Sequence, residues 1–241
     1  SGTWTIGSEV TNSIAPSQVR VLLVTAMLSS AAGLILELLL VTQASYLAGN
    51  ATLATGVVVG TFLAAMGLGA WLTEFLAISR TPQPALLRCL LIVEISLCPL
   101  CFLGPLGLFQ LFAIDGPLWL AVVILTILVG VLGGMELPLI TRLLETQQQL
   151  RQVLARVLAL DYFGSLLGAL AFPLLLLPTL GLLPTAAALS LVPIGCACWL
   201  SWSFDDLRRW RRGTLFAIPL VATGGFFSIP LGDRIEDNLY S

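Results

Sequence analysis

Apolar residues run through this chain in long, nearly unbroken stretches, and polar residues collect in the short gaps between them. Seven such stretches stand out, at about 20–42, 51–76, 85–112, 117–143, 158–178, 184–203 and 214–231. A helix rises about 1.5 Å per residue, so about 20 residues cross a hydrocarbon core about 30 Å thick. None of the stretches alternates with a period of two, so they predict helices and not barrel strands. The gaps carry turn chemistry at Gly49-Asn50, Thr81-Pro82-Gln83-Pro84, Asp115-Gly116-Pro117 and Gly181 to Pro184. The pattern therefore predicts an all-α integral membrane protein with about seven transmembrane helices over 19–232. A polar N-terminal tail (1–18) and a linker-like C-terminal tail (233–241) flank it.

One gap is different. Residues 144–157 place Leu150, Val153, Leu154 and Val157 on one helical face, with Gln148, Gln149, Arg151 and Gln152 opposite. That spacing predicts an amphipathic helix entering the fifth span, either lying in the membrane interface or packed on protein as a loop helix.

Composition narrows the function. Apolar residues make up 58% of the chain and charged ones 10%, far from the balance of a soluble domain. All 11 basic residues are arginine, and histidine is absent. A P-loop lysine, a histidine general base and a His-ligated zinc site are thereby excluded. No metal site or cofactor is expected, and a net charge of −2 gives no surface for nucleic acid.

The arginines also orient the chain. With seven crossings, Arg20, Arg80, Arg88, Arg142, Arg151, Arg156, Arg208, Arg209, Arg211 and Arg212 fall on one face, and Arg234 on the other. The positive-inside rule then predicts a cytoplasmic N-terminus and a C-terminus outside. The compartment expected is a bacterial inner (plasma) membrane or an equivalent internal membrane.

An internal echo suggests how the spans are related. Glu37-Leu38-Leu39-Leu40-Val41-Thr42-Gln43 closes the first stretch, and Glu136-Leu137-Pro138-Leu139-Ile140-Thr141-Arg142 closes the fourth. Gly60 to Ala65 likewise lines up with Gly164 to Ala169. An offset of three spans reverses the direction of crossing, the signature of a 3+3 inverted repeat, here with one span left over. The repeat pairs Glu37 with Glu136. A carboxylate inside a span costs at least ~2.5 kcal/mol on insertion scales, so it faces the bundle interior or water.

Two readings of these carboxylates stand side by side. In the first they bind a cation or polyamine or relay protons; in the second they accept hydrogen bonds or pair with arginine and lock the packing. Asp161 and Tyr162 are expected beside Glu136, and Tyr46 and Asn50 beside Glu37. Glu94 has no arginine at helical spacing, so its partner must come from another helix. Gly56/Gly60, Gly130/Gly134 and Gly164/Gly168 mark close helix contacts, more often internal than between copies. Cys98-Pro99-Leu100-Cys101 has the spacing of a thiol-exchange pair, but cysteine is also a small apolar residue suited to buried helices.

From Gly33 to Ala70, the segment GLILELLLVTQASYLAGNATLATGVVVGTFLAAMGLGA resembles the first two spans of the membrane-bound spermidine synthases, the polyamine aminopropyltransferases. GMELPLITR (134–142) and LALDYFGSLLGALAFPLLLLPTLGLL (158–183) continue the likeness, the latter through Asp161, Tyr162, Gly164, Pro173, Pro178 and Gly181. DRIEDNLY (233–240) resembles the linker into that family's catalytic domain. The resemblance implies a soluble Rossmann-like domain that binds decarboxylated S-adenosylmethionine through a glycine-rich loop. No strand with a GxGxG turn occurs in these 241 residues, so no catalytic residue is carried over.

The expectation is a membrane domain of a spermidine-synthase-like protein, acting as an anchor or a polyamine- and cation-handling module, with no catalysis by this chain alone. A structural subunit of a larger membrane complex and a small secondary transporter are the alternatives. Expected partners are the lipid bilayer, other membrane subunits or a second copy, and polyamine.

Overall fold

The computed structural model describes residues 15–75, 82–145 and 150–211. Six helices among them are long and apolar enough to cross a bilayer: α1 (Pro16–Ala48), α2 (Ala51–Phe75), α3 (Gln83–Ala113), α4 (Leu118–Glu145), α5 (Leu150–Leu180) and α6 (Leu182–Ser203). A 3₁₀ turn, Asp205–Trp210, follows α6. No strand occurs among the described residues. The stretch expected at 214–231 lies outside them.

The helix ends differ from the apolar limits for local reasons. α1 starts at Pro16, inside the expected polar tail. Proline is suited to the first helical turn because its missing N–H has no intrahelical partner there. The Gln18 side-chain oxygen accepts the Ala15 N–H at 3.0 Å, supporting the same end. At its other end α1 stops at Gly49, whose φ of 69° is the left-handed conformation that glycine adopts without penalty. Residues 150–157 are not a separate helix but the first two turns of α5, with Val153 and Val157 buried and Leu150 and Leu154 exposed. Phe172–Leu176 form a π turn within α5, at Pro173.

Consecutive helices cross in opposite directions. The Gln18 side-chain amide donates to the Ser203 carbonyl at 2.9 Å, which puts the start of α1 and the end of α6 on one face. The Gln43 amide donates to the Pro105 carbonyl at 2.6 Å, so the far ends of α1 and α3 share the opposite face. Val19, Leu23, Leu144, Val153 and Arg156 surround a small void where α1 begins, α4 ends and α5 begins. Every arginine among the described residues (Arg20, Arg88, Arg142, Arg151, Arg156, Arg208, Arg209 and Arg211) therefore belongs to the face on which α1 begins.

The core is leucine-rich and built mainly from α1, α3, α4 and α6, with Leu22, Leu36, Leu39, Leu40, Leu87, Leu90, Leu139, Ile140, Leu143 and Leu200 fully buried. α2 and α5 are outer helices. The most extensive contacts are α2 with α4, α1 with α5, and α3 with α6. Glycine makes the first two possible. A methyl group on Gly164 or Gly168 would overlap the carbonyls of Met27 and Ala31 in α1, and one on Gly134 would overlap that of Met66 in α2. Gly130 meets Ala65 and the Phe62 carbonyl in the same way. A methyl group on Gly56 or Gly60, both expected to pack internally, would instead meet no neighbouring helix within 4 Å.

Gly164→Ala should therefore force α1 and α5 apart, at a cost of ~1–3 kcal/mol typical of overpacking. Gly56→Ala meets open space and should be neutral or slightly stabilising, since alanine is the better helix former. Thermal unfolding in detergent separates the two; equal melting temperatures would refute the close α1–α5 approach.

Candidate functional site

α2 clamps onto α4 and α5 onto α1, while α2 and α5 scarcely touch, and the gap between them is a cavity of about 470 Å³. Its floor is α1 (Ala26, Ser29, Ser30, Gly33) and α4 (Gly133, Gly134, Glu136, Leu137, Pro138, Ile140). Its walls are Phe62, Leu63, Met66, Gly67 and Ala70 from α2 and Val157, Asp161, Tyr162 and Ser165 from α5. Leu63, Met66 and Tyr162 at its rim are exposed on the outside of the bundle, Tyr162 at 69%. Its volume and its apolar lining with a few convergent polar groups are those of a small-molecule site.

The polar groups come from three helices. Glu136 is 7% exposed, and its Oε1 has no hydrogen-bond partner. The Ser29 hydroxyl lies within hydrogen-bonding reach of the same carboxyl. Ser30 Oγ donates to the Asp161 carbonyl at 2.8 Å and lies 2.7 Å from Ser165 Oγ, which pins α1 to α5 beside the cavity. Pro138 removes the N–H that the Gly134 carbonyl would otherwise accept in α4, two residues from Glu136. Gly133 and Gly134 leave α4 without side chains on the same stretch, so α2 and the cavity both reach its backbone.

Glu136 also faces inward. It lines a second void of about 30 Å³ together with Ser29, Leu97, Cys101 and Pro193, room for about one water. Glu94 is fully buried (0% exposed), and neither of its carboxyl oxygens has a hydrogen-bond partner. Glu94, Leu97 and Cys101 follow one another at i, i+3 and i+7 and form one stripe of α3. No hydrogen-bond partner from another helix meets the Glu94 carboxyl among the described residues. An ion pair between Arg211 and Asp205, at 3.7 Å, lies on the surface beyond α6.

Of the residues singled out in the sequence, Glu136, Asp161 and Tyr162 come together. Glu37 is 7% exposed and does not line the cavity. Tyr46 is exposed near the end of α1, and Asn50 Oδ1 accepts the Leu53 N–H at 3.0 Å at the start of α2. Sequence reasoning passed over Ser29, Ser30 and Ser165. The available signal was a pair of adjacent serines in an otherwise apolar span, one turn from Gly33. Cys98, Cys101 and Cys196 are buried, and all five cysteines are free thiols. No group of three or more potential metal ligands is present among the described residues.

Comparison with known proteins supplies the context. The chain is 32% identical over 225 residues to a polyamine aminopropyltransferase of Leptospira interrogans, covering 91% of this chain and 44% of that protein. It is 36% identical over 174 residues to polyamine aminopropyltransferase 2 of Ralstonia nicotianae, covering 71% of this chain and 33% of the relative. Corynebacterium efficiens has a third, 36% identical over 186 residues, covering 74% and 34%. This chain is a partial relative of the polyamine aminopropyltransferases, corresponding to a membrane-like N-terminal region of them. It spans between about a third and under half of the length of these relatives. No family model and no solved structure matches it.

Glu94 can now be weighed as a structural group. A buried carboxyl without a donor contributes no hydrogen bond, so replacing it by an apolar residue of similar volume should be neutral or stabilising. Glu94→Met should keep or raise the melting temperature in detergent. A loss of the roughly 3–5 kcal/mol that follows breaking a buried ion pair would reveal a cationic partner instead.

Proposed function

We propose that this chain is the membrane domain of a spermidine-synthase-like protein, anchoring it in the bilayer and holding a polyamine or similar organic cation between Glu136 and Asp161. The carrying observation is the lateral cavity itself. Two carboxylates and a set of hydroxyls converge in an apolar cleft, and no arginine of the described residues pairs with Glu136. A ligand with ammonium groups on an aliphatic spacer complements such a lining, charges to carboxylates and methylenes to leucine, methionine and phenylalanine. The named activity of the relatives makes polyamine the first compound to try.

A secondary transporter is the second reading, and the helix pairing favours it. Exchanging helices 1–3 with 4–6 turns the α1–α5 contact into the α4–α2 contact and the α1–α6 contact into the α4–α3 contact, all present. The correspondence extends to residues. Ala31 against Gly168 in α1–α5 maps onto Gly130 against the region of Ala64 in α4–α2, and Gly130 meets Phe62, Ala65 and Met66 there. Inverted repeats of this kind are common among secondary transporters. We take the arginine face as cytoplasmic, by the positive-inside rule. A seventh crossing at 214–231 would then leave the C-terminus outside.

Two measurements test these readings. Spermidine binding to the purified chain should be abolished by Glu136→Gln and weakened by Asp161→Asn at unchanged melting temperature. If the parent neither binds spermidine nor carries it into vesicles, the cation-handling role fails and an anchor or complex subunit is left. For orientation, single cysteines at Ser8 and Ser241 in a cysteine-free background are labelled in intact cells with an impermeant maleimide. Labelling at Ser241 alone is expected; labelling at Ser8 alone would reverse the topology.

A further inference from the structure

The cavity between α2 and α5 adjoins the inner void, and five residues border both: Ser29 and Gly33 of α1, Phe62 of α2, and Gly133 and Glu136 of α4. These five form the partition between the two spaces. Neither glycine fills it, since a methyl group on Gly33 or Gly133 would meet no neighbouring helix within 4 Å. Ser29 is small, and Glu136 is the acceptor, its Oε1 unpartnered. Phe62, 6% exposed, is the bulky apolar member of the set. The two spaces differ greatly in size, about 470 Å³ on the outer side of the partition and about 30 Å³ on the inner side. The inner one has room for about one water, and the packed interior around it would have to shift to admit a carbon chain. Exposure also rises along the outer cavity, from Glu136 at 7% through half-buried Asp161 to Tyr162 at 69%. A ligand entering between α2 and α5 therefore meets Glu136 last.

We propose that Phe62 is the stop at the inner end of this cavity and makes it selective for linear amines that enter with a primary ammonium leading. A primary ammonium has three N–H bonds and a single carbon substituent. At Glu136 the N–H bonds turn to the carboxylate and the Ser29 hydroxyl, and the carbon chain leads back past Asp161 to the rim. A nitrogen carrying a second alkyl group has a second chain to place. On the inner side that chain meets the Phe62 ring, and the void beyond is too small to take it. At the far end of the ligand the same substituent meets the open rim and is tolerated. Phe62 is thus a specificity-determining residue, and the selection is steric, because an alkylated amine carries the same positive charge as the primary one. This inference rests on the Glu136–Asp161 cavity being a cation site, as proposed above.

Calorimetry on the whole purified chain compares three ligands without any mutation: spermidine, spermidine ethylated on one terminal nitrogen, and spermidine ethylated on both. The singly ethylated compound can still enter by its free end and should bind comparably to spermidine. The doubly ethylated one has no primary end and should bind at least about tenfold more weakly, the discrimination that a small excess of carbon meets in a closed pocket. Equal affinity for all three would overturn the stop and leave the cation site standing. Absence of binding by any of them would overturn the cation site and this inference with it. Phe62→Ala supplies the second readout, since it joins the two spaces. It should narrow the gap between spermidine and the doubly ethylated compound, whereas a loss of packing alone would weaken all three ligands alike. An unchanged gap in the folded variant would remove Phe62 from the selection. Should Phe62→Ala fail to fold, Phe62→Leu, which retains more of the apolar volume, is read in the same way.

Discussion

Backbone-to-backbone approach at glycine sets the geometry on which everything else depends. In a bilayer, leucine against leucine is no better than leucine against lipid, so helices associate where their backbones come close enough for extensive contact. Gly164 and Gly168 seat α5 on Met27 and Ala31 of α1, and Gly130 and Gly134 seat α4 on α2. Each outer helix is thus committed to a different inner one. α2 and α5 cannot also pack against each other, and the cleft between them is the consequence. A single side chain larger than hydrogen at Gly164 or Gly134 would move a wall of that cleft, so the packing residues are also the residues that shape the site.

Carboxyl groups in such a bundle have few ways to be tolerated. One is a cationic partner, and the arginines of the described residues are all on one face, near helix ends, where they reach water. Another is a set of donors, which Ser29 supplies to Glu136 in part and nothing supplies to Glu94. Remaining are a bound proton and a bound cation. The absence of lysine and histidine sharpens this, because the bundle has no titratable base that could stand in for a missing cation.

Much of the fold was legible in the sequence, because span length, turn residues and glycine spacing are local properties. The Gly130/Gly134 and Gly164/Gly168 contacts were read from spacing alone. Gly56/Gly60 has the same spacing and faces open space, since spacing reports what a helix face can do and not which neighbour meets it. The site was only partly legible. Asp161 and Tyr162 were placed with Glu136 because they sit near corresponding membrane depth on adjoining helices. The burial of Glu94 on one stripe of α3 with Leu97 and Cys101 was not legible, since it depends on how α3 rotates against its neighbours. Ser29 and Ser30 drew no notice because serine in a span is unremarkable until a carboxyl is known to lie across from it.

The two halves of the bundle share contacts but not chemistry. The sequence correspondence that places Glu37 opposite Glu136 would place Val57, Val58 and Thr61 of α2 where α5 has Asp161, Tyr162 and Ser165. On the α4 side it would replace Ser29 and Ser30 by Leu128 and Val129. Glu37 therefore has no polar set to match that of Glu136, although its burial is the same. A glutamate at both positions does not require both to bind. The polar groups concentrate around Glu136, in the half of the bundle nearer the arginine-bearing face.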